Sequence, residues 1–205
     1  YPSTYGDGLR EELAKLYGLR PDNFVVGNGS DEPLDIIIKT FVEPGETVIT
    51  AHPAYVLHSF FVKINAGRSV TVDLDDDFQL DVDRMLSTEG KLVLICTPNN
   101  PTSNTFREED VRALVEGSDR PVVVDEAYGE YAGRSFLPLV DRYDNLIVTR
   151  TFSKAYGLAG MRIGYMAAGL EMAEAMQKVK IPYSLNLVGE RVAVAALRER
   201  EFLER

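Results

Sequence analysis

Leu92-Val93-Leu94-Ile95-Cys96 runs straight into Thr97-Pro98-Asn99-Asn100-Pro101-Thr102. Five apolar residues with no polar alternation describe a strand covered on both faces, as in a parallel sheet. The polar, proline-bearing run behind it ends the strand and sets side chains capable of chemistry at its carboxyl end. Toward the C-terminus the spacing predicts a helix over 107–115 and strands over 121–125 and 146–151. A glycine-rich stretch then runs through Gly164 to a strand over 165–167, followed by helices over 170–178 and 187–203. Toward the N-terminus it predicts strands over 69–74, 47–51 and 24–27 and helices over 55–64 and 31–41. Leu9, Leu13 and Leu16 fall at helical spacing before them. In the 31–41 helix, Leu34, Ile37, Ile38 and Phe41 share a face and Pro33 sits in the first turn. Alternation of this kind predicts an α/β fold with a mostly parallel central sheet flanked by helices. Ligands of such sheets bind beyond the carboxyl ends of the strands.

The composition narrows the function classes. With 205 residues, 45% hydrophobic and 26% charged, the chain has ordinary globular composition and room for one large domain or one and a half. No stretch approaches the ~20 apolar residues of a membrane span. A net charge of −10 makes a poor general binder of nucleic acid or anionic membrane. The single Cys96 forms no internal disulfide, and two His with one Cys make a poor metal set, so no metal site is expected. A reducing, cytoplasmic setting fits this cysteine usage. Asp75-Asp76-Asp77 reads as a solvated turn.

Three predicted strands end in reactive groups. They lead to Asn99-Asn100, to Asp125-Glu126-Ala127-Tyr128 and to Thr151-Phe152-Ser153-Lys154. Lys154, at the end of a buried strand, suits a partly desolvated amine, which is nucleophilic toward carbonyls. Taken singly, each feature has a plainer reading. Lys154 is then a surface lysine, Asp125 a helix cap, Tyr55 a core residue, Pro98-Asn99-Asn100-Pro101 a turn and Tyr1 a terminal residue. A fourth feature, Gly27-Asn28-Gly29-Ser30-Asp31, ends a strand and opens a helix, where free backbone N–H groups bind anions.

Together and in this order, these motifs resemble those of the class II pyridoxal-phosphate-dependent aminotransferases of the aspartate-aminotransferase fold, and within them the branch acting on L-histidinol phosphate. The resemblance runs from Tyr1-Pro2 to at least Tyr183. It implies that Lys154 binds the cofactor aldehyde covalently and then moves the substrate proton, and that Asp125 faces the pyridine nitrogen. It implies that Asn100 and Tyr128 bond the ring's phenolic oxygen and that Tyr55 stacks on the ring. Ser30 and Asp31 would offer backbone N–H groups to the phosphate, with the Asp31 side chain capping the helix. Thr151, Ser153 and Arg162 would add hydroxyl and guanidinium contacts. Tyr1 would reach the phosphate of a neighbouring subunit, which implies a homodimer with a shared active site. The family commonly has Gly after the Thr of the Asn-Pro-Thr motif; Ser103 stands there instead, which bears on the shape of that loop.

The resemblance further implies a transaminase with a small-molecule amino donor and 2-oxoglutarate as acceptor, in histidine biosynthesis. Other readings stand beside it: an aromatic amino-acid aminotransferase, a threonine-phosphate decarboxylase, or a cofactor-binding regulatory domain without turnover. Residues 1–186 are expected to form the large cofactor-binding domain, and 187–205 a helix leading to a small C-terminal domain that lies outside this chain. The substrate-binding arginine is expected there.

Overall fold

The computed structural model describes residues 2–204. Seven strands form one sheet: β1 (Phe24–Asn28), β2 (Thr47–His52), β3 (Arg68–Asp73), β4 (Leu92–Cys96), β5 (Val122–Asp125), β6 (Leu146–Thr151) and β7 (Ile163–Ala168). Their order across the sheet is β1-β7-β6-β5-β4-β2-β3. The pairs from β6 to β3 are parallel, whereas β7 runs antiparallel to both β1 and β6. The mostly parallel sheet expected from the apolar runs is therefore present, with β7 as its one reversed strand.

Seven α-helices cover the sheet: α1 (Asp7–Tyr17), α2 (Asp31–Phe41), α3 (Val56–Ile64), α4 (Val82–Ser87), α5 (Glu108–Gly117), α6 (Leu170–Val179) and α7 (Leu187–Arg198). The β4 run shows why neither face of the sheet is polar. Val93 and Ile95 pack into a core with Leu9 and Leu13 of α1, Val111 and Leu114 of α5 and Ala193 of α7. Leu92 and Leu94 point the other way, to Leu34, Ile37 and Ile38 of α2, Val62 of α3 and Met176 of α6. Side chains of a strand alternate between faces, so a strand with helices on both sides must be apolar throughout.

Two elements depart from the pattern read in the sequence. The helix expected over 187–203 ends at Arg198, and Arg200–Glu204 forms a 3-10 turn. The six-residue α4 was not anticipated; the Asp81 carboxylate opens it by accepting from the Arg84 N–H at 3.0 Å. Among the described residues, no helix is long and apolar enough to cross a membrane.

Candidate active site

Because β1, β4, β5 and β6 run in the same direction, their carboxyl ends lie along one edge of the sheet. Reversed β7 starts at that edge, so the β6–β7 connection, which carries Lys154 and Arg162, folds back there. Ser30, Tyr55, Asn100, Asp125, Tyr128 and Lys154 line one small cavity at this edge, together with Cys96 and Ala127. A roomier cleft beside it is lined by Asn99, Asn100, Ser103, Tyr128 and Tyr131, whereas the cleft between α1 and α6, lined by Tyr5, Arg10 and Gln177, gathers none of the predicted residues.

Asp125, the last residue of β5, is 2% exposed. Its Oδ1 accepts from the Thr149 hydroxyl at 2.8 Å and from the Ala127 N–H at 3.2 Å. Its Oδ2 accepts from His58 Nε2 at 3.1 Å. The helix-cap reading of Asp125 is thereby displaced, since the carboxylate is held by two strands and α3. A buried carboxylate supported on three sides is a fixed acceptor, suited to a cationic N–H presented from the cavity. His58 is the site residue that sequence reasoning missed. The one available signal was its place a single helical turn after Tyr55, and the two rings meet edge to face at 5.5 Å.

The anion side is built by glycines. Gly29 has φ 76, and a Cβ there would collide with the Arg162 guanidinium. At Gly164 a Cβ would strike the Gly29 carbonyl carbon and the Ser30 nitrogen. These absences let β7 approach the first turn of α2, where unpaired N–H groups and the helix dipole favour an anion. Arg162 lies beside this turn at φ 54, with its carbonyl accepting from the Gly29 N–H at 2.9 Å. Thr151 and Ser153 join it through their hydroxyls, 3.0 Å apart. This donor set, drawn together by the missing Cβ atoms, fits a phosphate. Asp31 differs from expectation: Ser30 is the N-cap and no side chain caps α2. The Asp31 carboxylate instead pairs with Arg162 Nη2 at 3.0 Å, because β7 brings the guanidinium across the helix start.

Lys154 lies on a tight turn closed by the Gly157 N–H donating to the Lys154 carbonyl. Its Nζ stands 5.3 Å from the centre of the Tyr128 ring. Lys154 is exposed in this chain, where a partly desolvated amine was expected. Tyr55 faces the cavity, and its phenol is pushed up by burial and then by the carboxylates of Asp31 and Asp125. Cys96 is buried with its Sγ donating to the Pro98 carbonyl at 3.2 Å; burial and the nearby Asp125 push the thiol well up, so it is inert core. Ser103 takes φ 63, in the left-handed region that glycine adopts freely. Tyr1 lies outside the described residues. Among the described residues, no cluster of three or more His, Cys, Asp or Glu could hold a metal.

A buried carboxylate, an amine and an anion cradle on one sheet edge match a known class. The family model for aminotransferase class I and II covers residues 1–205, and the chain belongs to that family. It is 40% identical over 209 residues to a histidinol-phosphate aminotransferase of Caldanaerobacter subterraneus subsp. tengcongensis, covering all of this chain and 60% of that protein. It is also 40% identical over 208 residues to the histidinol-phosphate aminotransferase of Pyrococcus furiosus, again covering all of this chain and 60% of that one. The chain thus spans 60% of the length of these curated relatives. The crystal structure of histidinol-phosphate aminotransferase from Sinorhizobium meliloti in complex with pyridoxal-5'-phosphate superposes with a TM-score of 0.90 at 32% identity, over 98% of this chain and 58% of that one.

Proposed function

We propose that the chain is the cofactor-binding part of a histidinol-phosphate aminotransferase. It would transfer the amino group of L-histidinol phosphate to 2-oxoglutarate, giving imidazole acetol phosphate and L-glutamate. The observation that carries the reading is the single cavity lined by Lys154, Asp125, Tyr128, Asn100, Tyr55 and Ser30. Relatives of that name, matched along the whole chain, support the substrate.

Pyridoxal phosphate supplies an aldehyde that condenses with amines and a pyridine ring that accepts the electron pair released at the substrate's α-carbon. The residues of this chain hold it and move the protons. The backbone N–H groups at Ser30 and Asp31, the Thr151 and Ser153 hydroxyls and Arg162 hold the phosphate. The buried Asp125 carboxylate, oriented by His58 and Thr149, keeps a proton on the pyridine nitrogen. Tyr128 and Asn100, which line the cavity, would hydrogen-bond the ring's phenolic oxygen, and Tyr55 would pack on the ring. The Lys154 amine would hold the aldehyde and would carry the proton to and from the substrate α-carbon, work that needs one reversible base on a flexible stem.

Residues 1–186 form the cofactor-binding domain of this reading, and 187–205 lead toward a smaller domain that supplies the substrate arginine. The active unit is a cytoplasmic homodimer. Val56, Phe60 and Ile64 support the pairing: they form an exposed apolar stripe at i, i+4 and i+8 along α3, immediately after Tyr55.

The test mixes the full-length protein, loaded with pyridoxal phosphate, with L-histidinol phosphate and no acceptor. The visible band is expected to convert to the pyridoxamine form. A normal band that ignores this substrate overturns the substrate. No band at all overturns the cofactor.

A further inference from the structure

The alternation of β5 and β6 creates a second arrangement behind the site. Asp125 pairs with Thr149 across these strands, and both side chains point to the cavity face. Glu126 and Arg150, one position on, therefore turn to the opposite face. There the Arg150 guanidinium donates through Nε and Nη2 to Glu126 Oε2, at 2.9 and 2.8 Å. Its Nη1 donates to Glu130 Oε1 at 2.7 Å. All three side chains are buried, none more than 7% exposed. Glu126 also accepts from the Ser135 hydroxyl and the Phe136 N–H, both at 2.6 Å.

Tyr128 lies midway between the two carboxylates that this one cation holds. The turn is drawn tight over the guanidinium, since a Cβ on Gly129 would fall 2.7 Å from Arg150 Cζ. The Gly129 N–H closes it by donating to the Glu126 carbonyl at 2.8 Å. A planar fork bonded to two carboxylates fixes direction as well as distance, which a single ammonium does not.

We infer that Arg150 is a positioning residue for the Lys154 site: by clamping Glu126 and Glu130 behind the sheet, it fixes the turn that aims Tyr128 into the cavity. The inference rests on the cofactor reading above and extends it to three residues that touch neither cofactor nor substrate.

The experiment is a double-mutant cycle in the full-length protein between Glu130→Gln and Tyr128→Phe. Glu130→Gln keeps the shape of the side chain and removes one charge from the clamp. The readouts are the pH midpoint of the visible band with pyridoxal phosphate bound and the Tm of the cofactor-free protein. Glu130→Gln is expected to move the band midpoint by about half a pH unit or more in the parent, and by a small fraction of that in the Tyr128→Phe background. The fall in Tm is expected to be the same in both backgrounds, since folding does not need the phenol's hydroxyl. Arg150→Lys, which keeps the charge and loses the fork, is expected to shift the midpoint in the same direction. Equal midpoint shifts in both backgrounds, or no shift, would overturn the inference and leave the cofactor reading standing. No visible band in the parent would overturn both.

Discussion

His58 Nε2 donates to Asp125 Oδ2 at 3.1 Å, and both side chains are buried although 67 positions separate them. The first turn of α3 thus lies over the end of β5 and takes one side of the carboxylate, while Thr149 takes the other. His58→Phe would keep the ring volume and the contact with Tyr55 while leaving Oδ2 without its donor. A hydrogen bond to a charged group contributes about 1.5–3 kcal/mol, so the half-reaction with L-histidinol phosphate is expected to slow roughly ten- to hundredfold. Single-turnover stopped-flow measures it. A rate within a factor of two of the parent would remove His58 from the site.

Lys154→Ala tests the amine itself. Pyridoxal phosphate should still bind through the cradle, but borohydride treatment should no longer attach it to the peptide containing position 154. Proton transfer should slow by roughly 10²–10⁴-fold, the range for a positioned acid–base group. Mass spectrometry of the reduced, digested protein reads the first effect. Labelling of another lysine at parental yield would move the assignment away from Lys154.

Gly29→Ala and Gly164→Ala separate a cradle that can give way from one that cannot. At Gly29 the new methyl meets the end of the Arg162 side chain, which can swing aside, though the positive φ adds strain. Weaker pyridoxal phosphate binding is expected, with the fold retained. At Gly164 the methyl meets backbone, and overpacking of about 1–3 kcal/mol or more should lower Tm by several degrees. Calorimetry with a cofactor titration distinguishes the two. A Gly164→Ala protein with parental Tm would contradict the close approach of β7 to the start of α2.

Alkaline pH should unfold the protein early. Burial pushes the Tyr156 phenol up to about 12 and raises those of Tyr17 and Tyr165 as well. In the unfolded chain, tyrosines lose their protons near pH ~10. Above that pH the unfolded state binds fewer protons than the folded one, so stability falls as pH rises. The urea midpoint is expected to hold below about pH 10 and to decline between about 10 and 12, less steeply in Tyr156→Phe. A flat midpoint across that window would refute the buried-phenol account.

Strands β4 and β5 were readable as continuous apolar runs, and helix α2 because Leu34, Ile37 and Ile38 repeat at helical spacing. The short α4 was not, since six residues give the periodicity too little length and only Asp81 marks its start. At the site, Lys154, Asp125 and Asn100 were visible as polar groups ending apolar strands. His58 was hidden because its partner is remote in sequence. The Asp31 carboxylate was misread as a cap for the same reason: its partner, Arg162, lies 131 positions on.

The antiparallel insertion of β7 between β1 and β6 has a consequence for how the protein comes into being. Ser30 is made well before the strand that closes on it, which ends at Ala168. At about 5–20 residues per second, β1 and the start of α2 wait roughly 7 to 28 seconds for that partner. Throughout that interval Gly29 and Ser30 have no Arg162 beside them, and a nascent chain has nowhere to keep a phosphate. Cofactor capture through this cradle is therefore expected only once β7 has been made.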